Sequence, residues 1–349
     1  MNSKMHSTKI YIEAAHQVSI QQPLTEAWMT EPIRYDEPFV RAVNPTFRDF
    51  IPANEVRRMG NIMKRALVTM LRLVADTGVE HLDAIITGTS LGCLDYTERF
   101  LDDLTQNGEQ MLSPTWFMQS THNTVGSALA IYTKTHGYNV TYSHGELSFD
   151  AGLLDAWMQM QLGRISTAVV GGHDEMIASY YELLKRTGYV GVKGMVPCGE
   201  VAMSMLLNTE KKADSLCGLA AVTINSFISM DQMRQQVEKM LSNAGMTYGD
   251  LSAVMTGVNG NPQNDCHYDA MVRSLFPDKP LLHYKHLFGE NFTASALGVY
   301  AAAHCLHQRV LPTSLYADDT PCRQDFPESI LLINQRGGKE YSLMLLTAC

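Results

Sequence analysis

A strand that turns through glycine into a helix occurs twice in this chain, and no other feature constrains the fold as much. In NVTYSHGELSFDAGLLDAW (139–157), residues 139–142 read as a short β-branched and aromatic strand, and 143–145 break it. Glu146 then opens a helical pattern carrying Leu147, Leu153, Leu154 and Trp157. The second copy has a strand at 281–284, a break at 285–289 and a helix opened by Glu290, ENFTASALGVYAAAHCL. Similar strands precede the elbows at 84–89 and 253–258, and others close each half at 200–207 and 341–346. Repetition on this scale fixes architecture more firmly than propensity does. It predicts two α/β halves, residues 1–210 and 211–349.

A sharp strand-to-helix turn presents one side chain at a helix N-terminus, where N–H groups and the helix dipole favour negative charge. Enzymes use such an elbow to hold a nucleophile. Here the tip is Glu146, and a carboxylate capping an ordinary helix is the plainer reading.

Composition narrows the function classes. The 349 residues are 45% apolar, enough for a large core. A net charge of −9 argues against a nucleic-acid surface. No apolar run is long enough for a membrane span, and MNSKMHSTKI lacks the apolar core of a signal peptide, so a cytoplasmic protein is expected. The seven Cys form no CxxC pairs, which fits reduced thiols. Among twelve His there is no HExxH, so no metal site is expected; His304 and His307, one helical turn apart, read as a solvated helix end.

Along the chain, 9–13 reads as a first strand and 54–78 as one amphipathic helix with Arg57, Arg58, Lys64 and Arg65 off its apolar face. A strand is expected at 167–172, a trimmed glycine-rich loop at 176–200, a helix at 232–244 and a strand at 251–256.

The paired elbows, together with SPTWFMQSTHNTVGSALA (113–130), AVVGGHDE (168–175), KHLFGENFTASALG (285–298) and INQRGGKEYSLML (333–345), resemble the thiolase fold. More specifically, they resemble the β-ketoacyl-acyl-carrier-protein synthases. The resemblance implies an α/β, five-layered α/β/α/β/α architecture of two pseudo-symmetric halves, and no cofactor. In that family a Cys at the first elbow takes the acyl chain, and two His stabilise the enolate formed from the malonyl thioester. Matching the elbows places Glu146 at the Cys. Matching Pro262 and Asp265 places Gly257 or Val258 at the first His, and matching Lys285 and Gly289 places Glu290 at the second. Lys285, a supporting residue, is retained. The family's Gly-Phe-Gly-Gly gate reads Gln335-Arg336-Gly337-Gly338.

By the same match, His122 and Asn123 fall near the substrate pocket, with a structural hydrogen-bonding role equally open. The small residues of 126–130 fall on the dimer face. Arg57 and Arg58 fall where relatives dock the acidic acyl-carrier protein, or on a merely solvated face. The altered elbows resemble the chain length factors, partners of a catalytic ketosynthase in aromatic polyketide, aryl polyene and flexirubin-type pathways; a heterodimer with such a ketosynthase, or a homodimer, is implied. The alternative is a decarboxylase or hydrolase of carrier-bound thioesters, with Glu146 and Glu290 as a close carboxylate pair.

Overall fold

The computed structural model describes residues 8–317 and 326–349. Ten strands run in chain order as β1 (Tyr11–Val18), β2 (Ala84–Gly88), β3 (Tyr138–Tyr142), β4 (Thr167–Asp174), β5 (Val201–Asn208), β6 (Cys217–Ser226), β7 (Ala253–Thr256), β8 (Leu281–His283), β9 (Ser329–Arg336) and β10 (Glu340–Thr347). Their spatial order is β3-β2-β4-β5-β1-β6-β10-β9-β7-β8.

Read inward from either end, that order is the same. β2 lies parallel to β3 and β4, while β5 is antiparallel to β4 and β1. β7 lies parallel to β8 and β9, while β10 is antiparallel to β9 and β6. Among the described residues, strand pairing between the two five-strand leaves runs through Tyr11↔Gly218 and Ile12↔Cys217.

Two helices fill the space between the leaves. The first central helix, Ser148–Gln161, contacts β2, β4 and β6; the second, Ser295–Gln308, contacts β1, β5 and β9. Every residue of the second from Ser295 to Leu306 is buried, as expected of a helix apolar all round. Asn61–Thr77 and Thr124–Thr133 cover the outer face of the first leaf. Met230–Asn243 and Pro262–Leu275 pack on the outer core of the second. The apolar core follows these layers: Phe149, Leu153, Ala296 and Leu297 lie in the middle, Ile85, Leu67 and Val125 outside one leaf, and Val254, Met240 and Leu275 outside the other. This is the five-layered thiolase-like fold.

The layers are tight where the start of the first central helix crosses the end of β2. A Cβ on Gly88 would stand 2.5 Å from the backbone of Phe149, so only glycine admits the first turn of the central helix there.

Several local expectations are corrected. The helix expected over 54–78 is broken: Ala53–Val56 forms one turn, and Asn61–Thr77 starts afresh after Gly60. β1 runs on to Val18, pairing with β5 well beyond 9–13. β6 and β9 were not expected at all. The second central helix starts at Ser295 rather than Glu290, behind a short Lys285–Phe288 turn. His304 is no solvated helix end: it is buried, lies tilted against Tyr300 with ring centroids 4.5 Å apart, and burial holds its pKa down at about 3.

Candidate functional site

At the first elbow, β3 ends at Tyr142 and one 3-10 turn, Gly145–Leu147, leads into the central helix. The turn is fixed by Ser148, whose hydroxyl accepts from the His144 N–H at 2.8 Å and donates to the Gly145 carbonyl at 2.7 Å. Gly145 has φ +58°, and a Cβ there would meet the Arg336 guanidinium at 3.3 Å. Glu146 therefore projects beside Arg336, with 27% of its side chain exposed and Oε2 3.3 Å from Nε. Its Oε1 accepts from the Tyr189 hydroxyl at 3.1 Å. Arg336 also pairs with Glu340 at 3.2 Å, and Glu340 in turn meets His144 at 3.1 Å.

The second elbow is buried and differently built. Glu290 sits in an isolated bridge to Cys198; its N–H donates to the Pro197 carbonyl at 2.7 Å, and its own carbonyl accepts from the Gly199 N–H at 2.9 Å. The Lys285 ammonium lies 2.9 Å from both carboxylate oxygens, and the Asn259 amide donates to Oε2. Glu290 is thus an ion-paired, hydrogen-bonded carboxylate, which is how a buried charge is tolerated.

Tyr189 lies between the two. Burial first, then the negative charges of Glu290 and Glu146, push its phenol well above the ordinary value. Both carboxylates face this one phenol and each has its own cation. No hydrogen bond joins them to each other.

Around Gly257 the space is filled. A Cβ on Gly257 would come 2.7 Å from the Tyr268 hydroxyl, 3.0 Å from that of Tyr284 and 3.1 Å from Lys285. Val258 packs against the outer core of the second leaf. Gln335 is buried: its amide donates to Asn264 Oδ1 at 2.6 Å and its carbonyl accepts from the Gly338 N–H at 2.7 Å, closing the β9–β10 hairpin. The structure therefore gathers Glu146, Glu290, Lys285, Gly257 and Arg336 around one centre, while the Gln335 side chain turns to Asn264 instead.

His122 and Asn123 lie elsewhere. Both are exposed at the start of the Thr124–Thr133 helix. The His122 ring covers Gly92 and lines a narrow slot with Thr87, Cys93 and His173, away from both elbows. The Asn123 amide reaches only Ser127 Oγ, at 3.4 Å. At the floor of that slot, burial holds the His173 pKa down at about 3. Arg57 and Arg58 are exposed, and among the described residues neither forms an ion pair. Their loop is fastened by the Arg58 carbonyl, which accepts from the Gln119 amide at 2.6 Å.

Four centre residues escaped the sequence reading. Asp150, fully buried, accepts from Ser295 Oγ at 2.6 Å and from the Asn334 amide at 3.2 Å. Asn334 also donates to the Glu146 carbonyl at 3.0 Å. Asp150, Asn334 and Ser295 thereby tie the first elbow, β9 and the second central helix together. Burial raises the Asp150 pKa against the hydrogen bonds from Ser295, Ser342 and Asn334. A carboxylate one turn after Glu146, on the buried face of an apolar helix, was the available signal; Tyr189 left none. Among the described residues no group of His, Cys, Asp and Glu is arranged to hold a metal.

A two-leaf fold with its centre at paired elbows defines the class, a thiolase-like ketosynthase architecture. The profile of the beta-ketoacyl synthase N-terminal domain matches residues 14–254, and the chain belongs to that family. Solved structures with the same fold include the ishigamide ketosynthase/chain length factor, with a TM-score of 0.79 and 15% identity over 98% of this chain and 100% of that one. The ketosynthase ApeO in complex with its chain length factor ApeC from Xenorhabdus doucetiae gives 0.77 and 15%, over 100% of both chains. A beta-ketoacyl synthase from Burkholderia phymatum gives 0.78 and 13%, over 98% of this chain and 100% of that one. No curated protein sequence matches.

Proposed function

We propose that this chain is a non-condensing partner subunit of the chain length factor type. It pairs with a catalytic ketosynthase, or with a second copy of itself, and helps to shape the site in which acyl chains grow on an acyl-carrier protein. The observation that carries this reading is the centre itself. Condensation needs a thiolate to take the acyl group and donors to stabilise the developing enolate. At the matching positions stand Glu146, held by Arg336 and Tyr189, and Glu290, neutralised by Lys285. Of the two candidates for the remaining position, Gly257 is crowded by two tyrosine hydroxyls and Val258 packs against the outer core.

The wider context is in keeping. Two of the similar structures are described as ketosynthases with chain length factors, and another as a type II polyketide synthase ketosynthase with its acyl-carrier protein. Each five-strand leaf belongs to one half of the chain, 1–210 and 211–349. Arg57 and Arg58 are the residues for docking the carrier protein. No helix among the described residues is long and apolar enough to cross a membrane, and the cytoplasm is the compartment this reading takes.

The test is chemical. Purified protein alone should neither take up a radiolabelled acyl group nor release carbon dioxide from malonyl-carrier protein. Carbon dioxide release by the isolated chain, abolished by Glu146→Gln, would overturn the reading in favour of a carboxylate-based enzyme.

A further inference from the structure

The segment between the Ala178–Arg186 helix and β5 carries Gly188, Gly191 and Gly194, at φ 75°, 70° and 93°. Such backbone suits glycine and strains other residues, so the chain is built to turn on both sides of Tyr189. The ends of the segment are fixed. The Tyr189 N–H donates to the Leu184 carbonyl at 3.0 Å, and the Val196 N–H to the Asn259 carbonyl at 2.9 Å.

Between those anchors the Tyr189 ring stacks on Phe292, with centroids 5.1 Å apart and planes at 13°. Its edge is partly open to solvent while its hydroxyl reaches inward to Glu146. Val190, the next residue of the same segment, packs with Tyr181 and Cys198 in the apolar cluster beneath the ring. The Cys198 thiol is buried, close enough to Glu290 and Glu200 for their charges to add to the effect of burial in raising its pKa. A molecule approaching Glu290 past Glu146 meets the Tyr189 ring first.

We propose that residues 187–196 form a lid, shut here by Tyr189, and that Glu146 is its catch rather than a reacting group. Arg336, at the end of β9, also holds Glu146, with Nε 3.3 Å from Oε2. Apart from backbone bonds and the Asn261 amide, which donates to the Gly188 carbonyl at 3.3 Å, the Tyr189 side chain is held by one ring stack and one hydrogen bond to a carboxylate. Both can be undone without disturbing the buried ion pair beneath. The lid deepens the reading of the centre as non-condensing and rests on it: a shut lid explains how a carboxylate is retained at an elbow that does no acyl transfer.

Alkylation of Cys198 in the native chain, followed by mass spectrometry of its peptide, tests the lid. In the unmodified protein the exposed Cys266 and Cys349 should react with N-ethylmaleimide well before Cys198. Tyr189→Ala should raise the Cys198 rate roughly tenfold or more, because both the stack and the hydrogen bond are lost. Glu146→Ala, which leaves the stack, should raise it severalfold. Cys305, buried in the second central helix, must stay unlabelled, and so reports that the fold is intact. Should Tyr189→Ala expose Cys305 too, Tyr189→Phe decides, since it keeps the ring and loses only the hydrogen bond; a severalfold rise supports the lid. A Cys198 rate unchanged from the unmodified protein in the deciding variant overturns it, as does Cys198 reacting as fast as Cys266 without any substitution. Pairing and carbon dioxide release are not measured in this experiment, so its failure leaves the partner-subunit reading to its own test.

Discussion

Lys285 and Glu290 form the buried charge pair on which the second elbow depends, and the two residues are not equivalent to a surface pair. Removing the ammonium leaves a carboxylate in the interior with only the Asn259 amide for support. Lys285→Ala should therefore cost about 3–5 kcal/mol of unfolding free energy in urea titration, whereas an exposed pair such as Arg273–Asp269 should cost less than about 1 kcal/mol. A second residue-scale expectation concerns Glu175. Burial, with Glu200 and Asp95 nearby, raises its pKa to about 7 against the Asp95 N–H and the more distant Arg65. The folded state thus holds this proton more tightly than the unfolded chain does. The resulting stabilisation is fully present below the ordinary carboxylate pKa of 4.5 and is lost as pH rises through about 7. Buried His173 and His304, both held at about 3, act in the opposite sense as pH falls. The informative measurement is therefore the difference in Tm between Glu175→Gln and the unmodified protein. That difference should grow in favour of the variant from pH 5 to pH 8.

At the scale of elements, the break at Arg57–Gly60 matters more than the helix it interrupts. A continuous helix would spread the two arginines around a cylinder. The broken one presents Arg57 and Arg58 together on a loop pinned by Gln119 and Tyr96. Their reversal to Glu should weaken acyl-carrier protein binding about tenfold at low salt and flatten its salt dependence. Tm should barely move, since neither side chain has a folded-state partner to lose. Equal affinity across a salt series would return both residues to an ordinary solvated face.

For the whole molecule, the two ends of the sheet are unlike. The outer edge of β8 is met by Tyr316, bridged to Leu282, and by the Ala317 N–H, which donates to the Leu281 carbonyl. The outer edge of β3 has no strand beside it among the described residues, and nearby helices expose Phe117, Met118 and Ile131. Open strand edges beside apolar surface are where sheets join across subunits. Light scattering should therefore find a dimer, or a heterodimer when a catalytic ketosynthase is supplied. Ile131→Glu, at a residue 76% exposed in the single chain, should convert it to monomer without loss of the folded state. A stable, soluble monomer of the unmodified protein in both settings would remove the pairing idea.

The repeated elbows, their parallel strands and the thiolase-like arrangement were legible in the sequence, because each is written in local pattern: β-branched runs, a glycine break, an apolar helix. The residues at the two breaks, Glu146 and Glu290, can also be read by position alone. Whether a helix begins at Glu290 was not legible, because its N–H and carbonyl are committed to Pro197 and Gly199, on a segment far away in the chain. β6 and β9 escaped for a related reason, since central strands buried on both faces lose the alternation that marks a strand. The partners of Glu146 lie 43 residues away at Tyr189 and 188 away at Asn334. No spacing rule reaches that far. The sequence by itself determined the repeated elbows and their outer layers; the tertiary structure decided where the second central helix begins, which central strands form and which charges meet, because these depend on how the two leaves close around their central helices.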